Sequence, residues 1–302
     1  MFFGNRFCKW MCKTIYRLSH TSEYKHNKNL WPFFKVCRTA SGNIDTVFYK
    51  KYRVDNVSTI ENSKKERPLI IMATGPSVGS IDQRFFDDRF DYIGVNGAIA
   101  MTSIPYSWYA IIDRDFVIQR SDFVRDIVSR DGLVLFCTCA TLESILSVVA
   151  KSDIRCKFHI FESAVGLKIY RFLQATVAFK PDDERFHWHN GIGFSDDIHQ
   201  ALFDYGTVAY TALQIGCALG YEKIYIAGLD MNNFHAPRFY ETEHNKLGTR
   251  LDKDFDGIIQ SFITARVYCD EHNIKVINLS PDSAVDAFPK MRWDRVTQAV
   301  EA

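Results

Sequence analysis

Five short apolar runs, each closed by a small or polar residue, punctuate the chain between Pro68 and Phe161. They are Leu69-Ile70-Ile71-Met72-Ala73-Thr74, Tyr92-Ile93-Gly94-Val95, Trp108-Tyr109-Ala110-Ile111-Ile112, Leu133-Val134-Leu135-Phe136-Cys137 and Lys157-Phe158-His159-Ile160-Phe161. Continuous apolar runs of strand length are expected of parallel strands buried on both faces. Helical spacing follows the fourth run, from Thr141 to Ala150, and a further helical stretch is expected after the fifth. Thr207 to Leu219 is rich in Ala and Leu at helical spacing and closes at Gly220, a good C-cap residue. Glu222 to Gly228 then reads as a strand ending at Leu229-Asp230, residues 255–271 as a helix, and Ile274 to Leu279 as the last strand. Strands alternating with helices predict right-handed βαβ units. The expected fold is therefore α/β, a Rossmann-like, mostly parallel sheet with helices on both faces, spanning residues 68–302.

The first 67 residues have a different texture. They hold fourteen Lys and Arg against five Asp and Glu, whereas the remainder holds twenty-three against thirty-one. A basic N-terminal arm on a mildly acidic body points to a polyanionic partner surface. In residues 1–20, Arg6, Lys9, Lys13 and Arg17 share one helical face, while Phe3, Phe7, Trp10, Met11, Ile15 and Leu18 fall largely elsewhere. This pattern suits an interfacial helix on an anionic bilayer, or equally a surface helix packed on its own domain. Residues 21–67 read as an extended arm or small subdomain around the apolar island Trp31-Pro32-Phe33-Phe34. The acidic body and the absence of a recognised motif argue against nucleic acid. No run of about eighteen apolar residues predicts a membrane span, and the N-terminal cations interrupt any signal-peptide core. The eight cysteines, several inside apolar runs, read as buried free thiols.

In an open α/β sheet, ligands bind beyond the carboxyl ends of the strands. Those positions hold Thr74-Gly75-Pro76-Ser77, Asn96-Gly97, Asp113-Arg114-Asp115, Gly228-Leu229-Asp230 and Asn278-Leu279-Ser280. Gly75-Pro76-Ser77 is neither a dinucleotide fingerprint nor a Walker loop. Its exposed amides beside the Thr74 and Ser77 hydroxyls, at a helix start, suit one phosphate, although a plain strand-to-helix turn has the same composition. Asp113-Arg114-Asp115 has DxD spacing, yet a monophosphate leaving group can be met by hydroxyl and amide donors without a metal. The polar stretch near 231–252 has the composition of a lid and carries His235, Arg238, Tyr240 and His244. His187-Trp188-His189 lacks a third metal ligand, and its Trp188 suits carbohydrate better than a metal.

ATGPS after the first strand, Asn96 after the second, and GTVAYTALQIGCALGYEKIYIAGLD resemble bacterial lipooligosaccharide sialyltransferases and their relatives. The resemblance covers roughly residues 68–285. With its basic arm, the whole chain is similar to the lipopolysaccharide core transferases of the RfaZ/WaaZ type, which are credited with adding 3-deoxy-octulosonic acid (Kdo). It implies a GT-A-like Rossmann fold, a CMP-activated donor such as CMP-Kdo and no metal or other cofactor. It also implies an inverting transfer to a lipid-A-core acceptor, by a cytoplasmic protein peripheral to the inner membrane through residues 1–20. Carried over residue by residue, Gly75, Ser77 and Asn96 hold the donor and Asp230 lies by the nucleotide. Tyr240 touches the leaving phosphate, and His244 is the general base. Thr74, Pro76, Asp113, Gly228 and Ser280 complete the expected nucleotide-sugar wall. Two departures stand out. A second lid tyrosine is replaced by Asn232, and a serine near the helix start by Gly206-Thr207-Val208, so Thr207 is expected to take over a phosphate contact. Asn96 or Arg114 is expected to meet the sugar carboxylate. Three other readings stay open: a sialyltransferase proper, a metal-dependent pterin pyrophosphokinase-like enzyme, and a nonenzymatic nucleotide-binding membrane regulator.

Overall fold

The computed structural model describes residues 6–57, 60 and 64–296. Phe3 of the expected interfacial helix lies outside the described residues, and so does the side chain of Arg6. Helix α1 (Arg6–Ser19) is followed by a 3-10 turn and by strands β1 (Phe34–Arg38), β2 (Ile44–Tyr49) and β3 (Tyr52–Asp55), which form an antiparallel meander. The body begins with β4 (Leu69–Met72), β5 (Asp91–Val95) and β6 (Trp108–Ile111). Helices α2 (Arg114–Gln119) and α3 (Ser121–Val128) lead to β7 (Val134–Cys137), and α4 (Cys139–Val148) leads to β8 (Lys157–Ile160). Six short strands follow: β9 (Ser163–Val165), β10 (Lys168–Tyr170), β11 (Val177–Ala178), β12 (His187–His189), β13 (Ile192–Phe194) and β14 (Leu202–Phe203). The chain closes with α5 (Val208–Ala218), β15 (Lys223–Ala227), α6 (Leu251–Glu271) and β16 (Lys275–Asn278).

Seven strands make one parallel sheet in the order β16-β15-β4-β5-β6-β7-β8. Alternation along each strand divides the apolar interior into two layers. Ile70, Met72, Tyr92, Tyr109 and Leu135 point to one face, where Phe116, Val124 and Leu142 of α2, α3 and α4 cover them. Leu69, Ile71, Ile93, Val95 and Phe136 point to the other, under Leu213, Ile215, Ile258 and Phe262 of α5 and α6. The expected α/β sheet, with helices on both faces, is therefore present. Gly220 closes α5 with φ +86°, a left-handed conformation that favours glycine.

The helical stretch expected after the fifth strand is not there. Residues 161–206 fold instead as β9 to β14, in two small sheets. Asn190-Gly191, with φ values of 48° and 82°, forms the two-residue turn between β12 and β13. Both central residues of such a turn are left-handed, which Asn-Gly accommodates best. This hairpin turns the half-buried Trp188 toward Phe179 and Phe203, at centroid distances of 6.0 and 6.2 Å. His187 faces Glu271 at 3.4 Å, and no group of three metal-ligating side chains exists among the described residues. The α6 helix starts at Leu251, a turn before its expected beginning.

Residues 21–57 are not extended. Phe33 and Phe34 of the apolar island are buried, and polar contacts join this region to the body. Arg38 Nη2 meets Glu162 Oε1 at 2.6 Å, and Arg171 meets the same nearly buried carboxylate at 3.4 Å. The Asn27 amide donates to the Gln174 carbonyl at 2.8 Å and accepts from the Leu173 N–H at 2.9 Å. Helix α1 buries Cys12 and Tyr16, while Trp10, Met11, Ile15 and Leu18 stand exposed, Leu18 at 84%. One side of the helix packs on the protein, as a surface helix would, and an apolar stripe beside Lys13 and Arg17 faces outward. Six of the eight cysteines, all but Cys8 and Cys37, are buried, and all eight are free thiols. No helix among the described residues is long and apolar enough to cross a membrane.

Candidate active site

Strand β4 starts the sheet in its middle. The next four strands step away on one side, and β15 and β16 return on the other. The order therefore reverses between β4 and β15, where an open α/β sheet leaves a crevice beyond its strand ends. The Ala73 N–H donates to the Ala227 carbonyl at 2.9 Å and the Gly75 N–H to the Gly228 carbonyl at 3.0 Å, so the two strands stay zipped into their loops. Gly228 has φ +78°, and a Cβ on Gly75 would come within 2.6 Å of the Gly228 oxygen. Only glycine fits either place.

A cavity of about 830 Å³ opens above this crevice. Its wall contains Thr74, Gly75, Pro76, Asn96, Asp113, Thr207, Gly228, Asp230 and Tyr240 of the expected set. Residues dispersed over 167 positions of the chain thus meet in one place. Thr207 is buried at the N-terminus of α5, and its side chain does not cap that helix. The hydroxyl stands at the helix end, where first-turn amides lack the carbonyl partners of a helix interior. Asn96 adopts φ 45° and buries its Oδ1 without a hydrogen-bond partner. The Tyr240 ring lies directly over Gly97, flanked by Phe123 and Phe239. Burial pushes its hydroxyl up to about 12, so at neutral pH it is a proton donor.

Four expected residues are placed differently. Ser77 and Ser280 do not line the cavity. The Ser77 N–H donates to Asp230 Oδ2 at 2.9 Å, its hydroxyl donates to Oδ1 at 2.5 Å, and Ser280 Oγ lies 2.8 Å behind. The Asp230 carboxylate therefore clamps the glycine turn from below, and both serine hydroxyls are spent inside the clamp. Arg114 is turned away from the cavity. Its guanidinium donates to Glu143 at 2.9 Å and to Ser144 at 3.1 Å, because the nearly buried Glu143 needs compensating charge, which Lys9 also supplies. Arg114, expected at the sugar carboxylate, therefore stands outside the cavity wall. His244 is exposed and outside the cavity wall.

Segment 231–250 folds around one buried carboxylate. Glu241 accepts from Arg238 Nη1 at 2.9 Å, from the Arg238 N–H at 3.0 Å and from the Leu247 N–H at 3.2 Å, with Arg120 at 3.6 Å. The cavity also contains Asp115, Asp204, Asp254, Lys246 and Arg250. The cavity wall desolvates Asp204 and raises its pKa, and Asp254 and Asp113 add to the effect against the opposing Gly206 N–H bond. Sequence reasoning missed Asp204, Arg250 and Asp254. Asp204 follows a strand of two residues, too short to register, and Arg250 and Asp254 lie at a helix start placed a turn too late.

Residues 187–290 match the family model described as 3-deoxy-D-manno-octulosonic acid transferase WaaZ. The chain is 31% identical over 274 residues to a probable 3-deoxy-manno-octulosonic acid transferase of Escherichia coli, covering 83% of this chain and 90% of that one. It is 36% identical over 93 residues to a protein of the same description from Salmonella typhimurium, an alignment of 31% of this chain and 34% of the relative. Among solved structures, the sialyltransferase CstII of Campylobacter jejuni, in complex with a CMP substrate analogue, superposes with a TM-score of 0.43 at 16% identity. That match covers 76% of this chain and 86% of CstII. The α-2,3-sialyltransferase Cst-I of the same organism gives 0.45 at 14%, over 78% and 84%.

Proposed function

We propose that this chain, which belongs to the WaaZ family of 3-deoxy-D-manno-octulosonic acid transferases, moves Kdo from CMP-Kdo to a lipopolysaccharide inner-core acceptor with inversion and without a metal. The observation that supports this reading is the make-up of the cavity. The segment matched by the family model supplies Asp204, Thr207, Gly228, Asp230, Tyr240 and Arg250, while the strand-end turns at Gly75 and Asn96 supply the facing wall.

In this reading the fold is GT-A-like and the CMP phosphate rests against the Gly75-Pro76 turn, Thr207 and the start of α5. An acceptor hydroxyl attacks the anomeric carbon as the carbon–oxygen bond to CMP breaks on the opposite face. CMP leaves with the bonding electron pair, and its phosphate accepts a hydrogen bond from Tyr240. The acceptor proton goes to a general base, which the family resemblance assigns to His244. From its exposed place, His244 reaches the reacting atoms only when segment 231–252 closes as a lid. Asp230 acts indirectly, by fixing the turn. The protein works in the cytoplasm at the inner leaflet, where Trp10, Met11, Ile15 and Leu18 enter the lipid interface while Lys13 and Arg17 meet anionic headgroups.

The test is a donor panel of CMP-Kdo and CMP-sialic acid, with a lipid-A-core oligosaccharide acceptor and CMP release as readout, with and without a chelator. CMP release from CMP-Kdo, unchanged by chelation, is expected. Release from CMP-sialic acid alone makes the protein a sialyltransferase. Loss of activity on chelation overturns the metal-free chemistry and returns Asp113 and Asp115 to a metal-binding role.

A further inference from the structure

The donor of the proposed reaction is unusual in carrying two anions on one carbon, since the anomeric centre of a 2-keto sugar acid bears both the phosphate oxygen and a carboxylate. The cavity that would receive it is acidic. Asp113, Asp115, Asp204, Asp230, Glu241 and Asp254 line it, against Arg238, Lys246 and Arg250. A carboxylate moved into such a place needs a cation or a set of donors, because its desolvation is otherwise uncompensated.

The three cations are not equivalent. Arg238 is committed to the fully buried Glu241 side chain at 2.9 Å, a pair that holds segment 231–250 together. Lys246 donates to the His235 carbonyl within the same segment. Arg250 makes no ion pair and no side-chain hydrogen bond among the described residues. Its backbone is nevertheless fixed. The Arg250 carbonyl accepts the N–H groups of Lys253 and Asp254, at 2.9 and 3.1 Å, in the first turn of α6. That turn lies against the start of α5, since a Cβ on Gly206 would come within 3.0 Å of Asp254 Cβ. A planar, permanently charged fork on an anchored stem, beside the proposed phosphate cradle, has the geometry that binds a carboxylate through two parallel hydrogen bonds. The two residues otherwise expected at the carboxylate are poorer partners. Arg114 is spent on Glu143 outside the cavity, and the buried, unpartnered atom of Asn96 is an acceptor.

We propose that Arg250 reads the carboxylate of the sugar-acid donor and so sets the class of sugar that the cavity accepts. This rests on the CMP-sugar reading above, and the test separates the two. CMP carries the phosphate and lacks the carboxylate, so the inhibition constant of CMP and the KM of CMP-Kdo are measured for the native protein, Arg250→Gln and Arg250→Lys. Removing one charge-assisted hydrogen-bonding partner raises the KM of CMP-Kdo roughly ten- to a hundred-fold in Arg250→Gln. The CMP inhibition constant and the melting temperature stay unchanged, and Arg250→Lys falls between the native protein and Arg250→Gln. Equal weakening of CMP and CMP-Kdo overturns the proposal, because Arg250 then serves the nucleotide phosphate. An unchanged KM overturns it as well and leaves the CMP-sugar reading standing. If the native protein binds neither CMP nor CMP-Kdo, the reading and the inference fall together.

Discussion

The Asp230 clamp makes a quantitative prediction, because both carboxylate oxygens have a defined task. Replacing Asp230 by Ala removes two charge-assisted bonds from Ser77 at a position only 7% exposed. The Ser77 hydroxyl recovers a partner by turning to Ser280 Oγ, 2.8 Å away. The Ser77 N–H makes no other hydrogen bond among the described residues, and a donor left unmade away from water costs about 1–3 kcal/mol. Adding the missing charge assistance, Asp230→Ala should cost about 3 kcal/mol. Asp230→Asn keeps one oxygen for the N–H and offers its amide N–H to the serine oxygen, so about 1 kcal/mol is expected. Urea unfolding followed by tryptophan fluorescence at neutral pH measures both. CMP affinity should follow the same order, since a loosened turn no longer holds Gly75 and Pro76 in place in the cavity wall. If Asn proves as damaging as Ala to CMP affinity while leaving stability intact, the negative charge meets the ligand directly and Asp230 is no clamp.

Two further outcomes are expected. Leu18→Asp alters an exposed residue and should leave folding unchanged while lowering partition onto vesicles of anionic lipid at least about tenfold, because one apolar side chain no longer enters the lipid interface. Equal co-sedimentation of native protein with neutral and anionic vesicles would refute the proposed membrane contact. Burial lowers the pKa of His159 from the ordinary imidazole value to about 4, although both ring nitrogens face carbonyls, of Val57 at 3.0 Å and Ile198 at 3.1 Å. The unfolded chain then takes up a proton near pH 6.5 that the folded protein refuses until about pH 4. Stability is constant above that window and falls through it by at most about 3 kcal/mol as the pH drops. His159→Gln should flatten the difference in urea midpoint between pH 7.5 and pH 5, and an unaltered difference would show that another group carries it.

The parallel sheet was legible because its strands are covered on both sides, which forces runs such as Leu69 to Met72 to be apolar throughout. The stretch from Phe161 to Gly206 was not, since strands of two or three residues show no periodicity, although Asn190-Gly191 carried a readable hairpin signal. The rim was legible as positions after strands. What could not be read was where each side chain turns. Arg114 follows β6 as expected, yet a carboxylate 29 residues later draws it out of the cavity. Ser77 and Ser280, 203 residues apart, meet hydroxyl to hydroxyl beside Asp230, and no local pattern announces that bond.

The contacts that fasten the N-terminal region have a bearing on how the chain is made. Asn27 and Arg38 emerge early from the ribosome, but the groups they bind, Glu162, Leu173 and Gln174, lie more than 120 positions later. At about 5–20 residues per second, these early segments wait roughly six to thirty seconds for their partners. During that interval the meander has no body to lean on, and the apolar side of α1 stands uncovered. The N-terminal region therefore exists in the cell well before the elements that wall the cavity do.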